Sequence, residues 1–491
     1  MKAGRPERIE LAPGLDISRI VTGLWQVADL ERDGRLLDPD AASDELARYV
    51  AAGFDTFDMA DHYGSAELIV GALSRKQRDG VVAPFRALTK WCPEPDIMHP
   101  ALVRAAVERA CERMDVERID LMQFHWWMYE HPAYLDAMRS LAKLKEQGLI
   151  GAIGVTNFNT DHLRILVKSG IPIASNQVSF SLIDRRAAED MQAFCAESGI
   201  RLLAYGTLCG GFLSESWLDA PEPAAVSDWS KMKYGRFIAA SGGWAPFRRI
   251  LASAAAIAKR HKVSIANVAT RWVLQQRSVA AVIVGARLCE REHRDDNLHL
   301  FDFTLDSEDL ATLEEGFAAA RRIPGDCGDE YRKAPFLTAS GDLSHHLRDV
   351  AKLHEVEQLG ENLWRIDSGS VWEGIAGYCR AIRRGDRVLV SGTTATHGAE
   401  EMISPGDAAG QAAHILDKIA AALSALGAGL EDVVLTRIYL AKADHWEEVS
   451  RVHGRYFAEI RPANTLIAVS HLIGGYLVEI ECEAIIAGAS A

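Results

Sequence analysis

The chain has 491 residues, more than one ordinary hydrophobic core holds, and ~150 residues per domain predicts two or three domains. Hydrophobic residues make up 48% and charged residues 25%, the proportions of a globular chain rather than a disordered or fibrous one. The formal net charge is −14, and lysine and arginine form no dense stripe, which argues against nucleic acid and anionic membranes as partners.

The chain begins MKAGRPERIELAPG, without the apolar core of a signal peptide, and no uncharged apolar run reaches the ~18 residues that cross a bilayer. We therefore expect a cytoplasmic protein. Its eight cysteines include no C-x-x-C pair, so the sequence predicts neither a disulfide framework nor a zinc site.

Short β-rich runs alternate with helical patterns from Arg19 to about Ala320, which is typical of β/α units around a parallel sheet. The strand candidates are RIVTGLWQV, GFDTFDMA, PFRALTK, RIDLMQFHW, GLIGAIGVTNF, IPIASNQV, RLLAYG and VAAVIVG. A helix is predicted over 102–114, where apolar residues recur on one face. Eight units in roughly 300 residues favour a closed (β/α)8 TIM barrel, and the missing G-x-G-x-x-G motif argues against a doubly wound sheet. We therefore predict an α/β barrel over residues 1–323.

Residues 324–352 mix Pro, Gly, Asp and Ser without periodicity and are predicted as a linker or an extension of the barrel. The order of strand-like runs and helical segments over residues 353–491 is typical of a smaller α+β domain. Its predicted helices span 407–426, ended by Gly427, and about 446–457. Its strand-like runs are NLWRIDSG, YCRAIRRGDRVLVSGTTATH, VVLTRIYLA and YLVEIECEAIIA.

Four polar residues follow or end three successive strands of the predicted barrel, where the active sites of such barrels lie: Asp58, Tyr63, Lys90 and His125. A phenol has a pKa of about 10, so Tyr63 donates a proton near neutral pH only where a neighbour favours its ionised form. The Lys90 ammonium supplies that neighbour, and Asp58 holds the ammonium. His125 is then available to bind a substrate carbonyl oxygen.

In the contexts DMADHYG, LTKW and IDLMQFH, this set resembles the catalytic tetrad of the aldo-keto reductase superfamily, and the resemblance runs from about Ser18 to Ala320. It implies reduction of a small aldehyde or ketone, or the reverse alcohol oxidation, with a nicotinamide cofactor bound across the barrel mouth. Taken singly, each of the four residues is more often structural than catalytic; together, in the family's order, they favour catalysis. A non-catalytic, cofactor-sensing subunit is the alternative.

The same resemblance assigns cofactor contacts. GVTNF and SNQ place Thr156, Asn157 and Gln177 at the carboxamide. AYGTLCGGFL gives Tyr205 as the ring stacked on nicotinamide, with Gly206 and Leu208 along the phosphates, although Gly206 stands where the family usually has serine. Gly23 and Gly285 are further cofactor candidates.

The loop VGARLCEREHRDDNL resembles the family's adenosine-binding loop, with Asn297 on the adenine and a 2′-phosphate partner among Arg287, Arg291 and Arg294. A basic loop favours NADP(H), with NAD(H) as the alternative. An apolar pocket wall is predicted from tryptophans that are otherwise core residues, with His62 facing the pocket or solvent: Trp25, Trp91, Trp126 and Trp127. No metal site is predicted.

From about Leu359 to Ile486 the chain resembles the RidA/YjgF family of small trimeric domains with a chorismate-mutase-like fold. Deaminating members bind a substrate carboxylate with the arginine of P-A-R-[ST], where this chain has P-A-N-T with Asn464. An asparagine lacks the charged bidentate clamp of a guanidinium. Tyr378 and Glu481 match other pocket positions, and Arg461 lies nearby in sequence.

We therefore expect the C-terminal domain to be an oligomerising or small-ligand-binding module, in a homo-oligomer that the family's trimers imply to be a trimer or hexamer. The alternative is a two-domain enzyme that couples carbonyl reduction with imine or enamine hydrolysis.

Overall fold

The computed structural model describes residues 4–27, 37–226, 228–288, 292–332, 350 and 353–487. An antiparallel hairpin comes first, with β1 at Arg8–Ala12 and β2 at Leu15–Ser18. Its turn uses Gly14 at φ 76°, a backbone conformation that glycine adopts without strain. Leu11, Leu15 and Ile17 of the hairpin are buried in one cluster with residues of the barrel strands, so the hairpin covers one end of the barrel.

Eight parallel strands close into a barrel in which the last strand pairs with the first. All eight correspond to the strands predicted from the sequence. They are β3 Ile20–Gly23, β4 Thr56–Asp58, β5 Arg86–Trp91, β6 Ile119–His125, β7 Ile150–Thr156, β8 Ile173–Ser179, β9 Arg201–Tyr205 and β10 Val279–Gly285.

Helices connect these strands, and their boundaries follow from capping residues. The Asp38 side chain caps the helix Pro39–Ala51, and the Asn159 side chain caps the helix Thr160–Lys168. Asp306 forms a capping box at the start of the helix Ser307–Phe317. The helix predicted over 102–114 begins two residues earlier, at Pro100. The helices are α1 Pro39–Ala51, α2 Ala66–Arg78, α3 Pro100–Met114, α4 Tyr134–Glu146, α5 Thr160–Lys168, α6 Asp190–Ser198, α7 Trp229–Ala240, α8 Trp244–His261, α9 Ile265–Leu274, α10 Arg294–Leu298 and α11 Ser307–Phe317.

The C-terminal domain is built on a seven-stranded sheet in the order β11-β12-β13-β14-β19-β17-β18, in which only the β17–β18 pair is parallel. Its strands are β11 Val356–Gly360, β12 Leu363–Ile366, β13 Ala381–Arg384, β14 Arg387–Thr394, β17 Val433–Leu440, β18 Ala463–Ala468 and β19 Val478–Ile485; the short pair β15 Thr396–His397 and β16 Glu401–Met402 lies outside the sheet. The predicted run YCRAIRRGDRVLVSGTTATH is therefore divided by a tight turn at Gly385, φ 62°.

The described part of this domain contains three α-helices, α12 Val371–Ala376, α13 Ala408–Ala425 and α14 Trp446–Phe457. Ile415, Ile419 and Leu423 of α13 are fully buried against the sheet, as their helical spacing predicts. On the opposite face Leu389 and Ile485 are 40% and 44% exposed. The domain therefore has a helix-covered face and an open face. Among the described residues, no helix combines the length and apolar character needed to cross a membrane.

The two domains meet at α5 of the barrel and at α13 and α14 of the C-terminal domain. Arg455 on α14 donates two hydrogen bonds to Asp161 on α5, at 2.6 and 2.5 Å. His162 on α5 lies 2.7 Å from the Asp417 carboxylate on α13, and both side chains are buried.

Candidate active site

The residues predicted as a tetrad lie together at the carboxyl ends of β4, β5 and β6. Lys90 donates hydrogen bonds to the Asp58 carboxylate and, at 3.0 Å, to the Met59 carbonyl. The second carboxylate oxygen of Asp58 accepts from Gln123 at 2.9 Å and from Gln177 at 2.7 Å. Asp58 and Lys90 are 3% and 2% exposed, so this pair is shielded from solvent.

Burial lowers the pKa of Lys90, because a charged amine loses its hydration, while the negative charge and hydrogen bond of Asp58 act in the opposite direction. The Lys90 nitrogen lies 4.8 Å from the centre of the Tyr63 ring. A cation held this close to a phenol favours the phenolate form, which is the form that a proton donor leaves behind.

His125 completes the set. Burial lowers the pKa of His125 well below its usual value, and the positive charge of Arg332 adds to that effect. The ring is therefore neutral near physiological pH. Its Nε2 lies 3.5 Å from the Asn157 amide nitrogen and its Nδ1 lies 3.5 Å from the Cys92 sulfur. A neutral imidazole in this position has one N–H to donate to a carbonyl oxygen.

These side chains line one cavity of about 630 Å³, a size that suits a small organic ligand. At one end it reaches the tetrad, and at the other it reaches Arg287 and Asn297 beyond β10. The cavity is bordered by ten of the candidate cofactor contacts from the sequence, Gly23, Thr156, Asn157, Gln177, Tyr205, Gly206, Leu208, Gly285, Arg287 and Asn297. Arg294, a further candidate, is not among the residues that border it. Arg291 lies outside the described residues.

The inner part of the cavity fits a nicotinamide ring and its carboxamide. The Thr156 hydroxyl oxygen is buried and has no hydrogen-bond partner within the described part of the chain. Beside it, the Asn157 oxygen accepts from the Tyr205 hydroxyl at 2.8 Å. Asn157 has φ 56°, a left-handed conformation that turns its side chain out of the strand direction. An unpaired hydroxyl next to an amide side chain suits a ligand with both donors and acceptors.

Gly206 is explained by its surroundings. Its φ is 73°, and a Cβ atom there would lie 2.3 Å from the Tyr234 hydroxyl. A serine at this position would therefore clash unless Tyr234 moved, which gives a steric reason for glycine where the family resemblance implies serine. At the outer end, Arg287 donates to Asp228 at 2.6 Å, whereas Arg294 pairs with Glu292.

The four candidate tryptophans separate into two groups. Trp25 and Trp127 border the cavity, and Trp25 lies 5.0 Å from the Tyr63 ring. Trp91 and Trp126 are buried in the hydrophobic core behind it, where Trp126 stacks on Phe124 at 5.6 Å. Successive strand residues point to opposite faces, so Trp91 points away from the cavity that Lys90 enters. His62 borders the cavity and contacts Asp61 at 3.0 Å.

Three functional candidates were not found from the sequence, and two of them follow the last barrel helix. Tyr331 lies with its ring 5.3 Å from His125 and 5.2 Å from Trp127. Lys233 on α7 donates to the hydroxyls of Tyr331 at 2.5 Å and Tyr205 at 3.3 Å. Arg332 donates to the Asn157 carbonyl at 2.8 Å. The sequence signal for Tyr331 and Arg332 is weak: an aromatic and a basic residue are adjacent in the otherwise aperiodic run at 324–352.

The segment that carries Tyr331 is fixed to the barrel by buried charges. Arg186 pairs with Asp184 at 2.7 Å and with Glu330 at 2.9 Å, and it donates to the Asp326 carbonyl at 2.9 Å. Asp326 also accepts from the Thr160 backbone at 2.7 Å. Residues 326–332 are therefore part of the barrel mouth.

In the C-terminal domain the three candidate pocket residues are not brought together within one chain. Asn464 donates to Thr436 at 2.9 Å, on the face that α14 covers. Glu481 accepts from Arg437 at 2.7 Å on the open face. Tyr378, 39% exposed, follows α12. No group of three or more His, Cys, Asp or Glu side chains among the described residues is placed to hold a metal ion.

The model of the Aldo/keto reductase family matches residues 19–316. The chain belongs to this family. An aldo-keto reductase from Mycobacterium sp. (strain JLS) is 26% identical over 319 residues, which cover 64% of this chain and 95% of that protein. The structure of glycerol dehydrogenase from Gluconobacter oxydans shares the fold, with a TM-score of 0.53 and 24% identity over 66% of this chain and 98% of its own.

A second family model, described as Endoribonuclease L-PSP, matches residues 370–486. A member of the YjgF/YER057c/UK114 family from Mycobacterium tuberculosis is 41% identical to this region, covering 25% of this chain and 99% of its own, with a TM-score of 0.23. The protein is thus an NAD(P)-dependent oxidoreductase of the aldo/keto reductase family with a RidA-type domain at its C-terminal end.

Proposed function

We propose that this protein reduces a small aldehyde or ketone, or oxidises the corresponding alcohol, with Tyr63 as the proton donor. When bound, the reduced nicotinamide supplies a hydride to the carbonyl carbon. His125 donates a hydrogen bond to the carbonyl oxygen, and Tyr63 transfers its phenolic proton to that oxygen as negative charge develops there. Lys90 stabilises the resulting phenolate, and Asp58 keeps Lys90 charged and in place.

The observation that supports this proposal best is the buried Asp58–Lys90 pair beneath the Tyr63 ring, at the inner end of the cavity. A buried ion pair is costly to desolvate and contributes little to stability by itself. Because the pair lies beside a phenol and a neutral imidazole, a role in catalysis explains its presence better than a role in stability. The pair therefore favours a catalytic site over a non-catalytic cofactor sensor.

For the cofactor we propose NADP(H), with NAD(H) as the alternative. Arg287 borders the outer end of the cavity beside Asn297, where a 2′-phosphate requires a cation. Its pairing with Asp228 holds the guanidinium in that region.

For the C-terminal domain we propose a role in homo-oligomerisation, as a trimer or hexamer, or in binding a small ligand. The open face of its sheet carries the exposed Leu389 and Ile485 as well as the ion pair of Arg437 with Glu481, an apolar and charged surface that suits burial against another copy. Asn464 provides no cation for a carboxylate, which disfavours imine hydrolysis.

A single-turnover assay tests the proposed reaction. Enzyme preloaded with NADPH is mixed with a panel of small aldehydes, ketones and ketoses, and cofactor absorbance is followed. We expect rapid oxidation with at least one carbonyl and slower oxidation when NADH replaces NADPH. Absence of turnover with the whole panel and both cofactors would refute the reductase proposal.

A further inference from the structure

We propose that the C-terminal domain positions one wall of the reductase site, by holding the stacked Tyr129 and Arg332 side chains through the buried contact of His162 with Asp417. This inference rests on the proposed reductase function and adds a role for the second domain. It concerns positioning residues, since none of the four touches the reacting atoms.

The first step is the interdomain pair itself. His162 Nε2 lies 2.7 Å from Asp417 Oδ2, and the two side chains are 2% and 5% exposed. The other ring nitrogen of His162 lies 2.7 Å from the Asn159 side-chain oxygen. Asp417 accepts a second hydrogen bond from Tyr456 at 2.6 Å. The orientation of the imidazole is therefore set from both domains.

The second step is a stack. The Tyr129 ring is parallel to the His162 ring, with centres 3.4 Å apart and planes at 5°. The Arg332 guanidinium carbon lies 4.1 Å from the centre of the same Tyr129 ring. Because the imidazole fills one face of the phenol at contact distance, the guanidinium occupies the other face. The Tyr129 ring is thus held between the two side chains.

The third step reaches the active site. Arg332 donates to the Asn157 carbonyl at 2.8 Å and to the Trp126 carbonyl at 2.5 Å. Asn157 borders the cavity next to His125, and Trp126 directly follows His125 in the chain. The neighbour of Arg332, Tyr331, borders the cavity and packs edge-on against the rings of His125 and Trp127. Displacement of Tyr129 would therefore loosen the residues at the ends of β6 and β7 and also the part of the cavity wall that Tyr331 forms.

The same interface offers a matched control. Glu401 of the C-terminal domain pairs with Arg139 on α4, with side chains 48% and 27% exposed. This pair also joins the two domains, but it lies at the solvent-exposed rim, away from the Tyr129–Arg332 stack. Removing it tests interdomain charge without disturbing the stack.

Hydrogen exchange of the full-length protein tests the positioning directly, without substrate. In Asp417→Ala we expect the amides of Tyr331 and Arg332, which donate to the Gly328 and Asp329 carbonyls, to exchange about tenfold faster or more. Glu401→Gln should leave their exchange unchanged. Unchanged protection in Asp417→Ala, or equal loss in both variants, would overturn the proposal. Asp417→Asn, which keeps the side-chain volume, replaces Asp417→Ala if that variant does not fold.

Kinetics provide the second readout. For Asp417→Ala we expect kcat/KM for the carbonyl substrate to fall about tenfold, with the Kd for NADPH within about threefold of wild type. Combining Asp417→Ala with Arg332→Leu should cost no more than the worse single variant, because both act through one stack. Losses that multiply would contradict a shared path. If the wild-type enzyme reduces no carbonyl, the reductase proposal fails. Hydrogen exchange still tests whether the C-terminal domain positions the wall of the cavity, because it needs no substrate.

Discussion

Lys90 lies where almost no water reaches it, and Asp58 is the group that favours its charged form. Burial lowers the pKa of the lysine, and the carboxylate opposes that change. The amides of Gln123 and Gln177 hold the carboxylate in turn. In the proposed mechanism, the phenol of Tyr63 therefore depends on a charge of Lys90 that Asp58, Gln123 and Gln177 help to maintain.

Asp58→Asn is predicted to move the pH dependence of turnover toward acid. Removing the carboxylate removes the influence that raises the pKa of Lys90, so the ammonium persists only at lower pH. We expect kcat near pH 7.5 to fall by about a hundredfold or more, with a smaller loss near pH 5.5. The pH profile of kcat measures this. Glu67→Gln, at a buried carboxylate that pairs with Arg113, controls for loss of a buried charge. A profile shifted toward alkaline pH would contradict the assignment.

Gly206→Ser is predicted to weaken cofactor binding although it restores the residue that the family usually has. The new Cβ would lie 2.3 Å from the Tyr234 hydroxyl. We expect the Kd for NADPH, from fluorescence titration, to rise about tenfold, since relieving such a clash costs on the order of 1–3 kcal/mol. Gly211→Ser controls for backbone strain, because Gly211 lies in the same loop at φ 91° and a Cβ added there would meet no neighbouring atom within 4 Å. A lower Kd for NADPH in Gly206→Ser would contradict this prediction, because it would show that the Tyr234 side chain moves aside.

At the scale of elements, the barrel strands and the tetrad were predictable because both depend on local patterns. Each strand is a short β-rich run, and the polar residues at strand ends fall at fixed places in the units. The separation of Trp91 from Lys90 was also accessible, because adjacent strand residues point to opposite faces. The opening hairpin is a further local feature, with Gly14 at its turn, that the pattern of β/α units did not reveal.

Tyr331 and Arg332 were out of reach for a physical reason. Their segment has no periodic apolar pattern, and its position is set by contacts distant in sequence, chiefly those of Arg186 with Glu330 and the Asp326 backbone. The link from Asp417 to His162 likewise depends on how two domains pack. Neither the residue types nor their spacing indicate such partners.

Arg186→Leu is predicted to destabilise the barrel strongly and to release this segment. It leaves the carboxylates of Asp184 and Glu330, both fully buried, without their cation. Breaking a buried pair in this way costs about 3–5 kcal/mol. Urea denaturation measures the loss in the free energy of unfolding. Arg104→Leu, which removes an exposed ion pair with Glu108 on barrel helix α3, should change it little. Equal losses in both variants would contradict the role given to Arg186.

At the scale of the whole molecule, a reductase barrel is joined to a domain whose sheet has one open face. We expect the protein to sediment as a trimer or hexamer in analytical ultracentrifugation, and Leu389→Glu to dissociate it by placing a charge on that face. Leu310→Glu, at a residue 41% exposed on barrel helix α11, should leave the assembly intact. A monomeric wild-type protein at micromolar concentration would contradict this arrangement.

The most direct test of the proposed chemistry compares wild type with Tyr63→Phe in single-turnover oxidation of bound NADPH by a carbonyl that wild type reduces. The phenylalanine keeps the ring beside Lys90 and removes only the proton donor. We predict a loss of about a thousandfold or more in the rate, with the Kd for NADPH within about threefold of wild type, because the phenol donates a proton without holding the dinucleotide. Turnover at the wild-type rate would contradict the assignment of Tyr63.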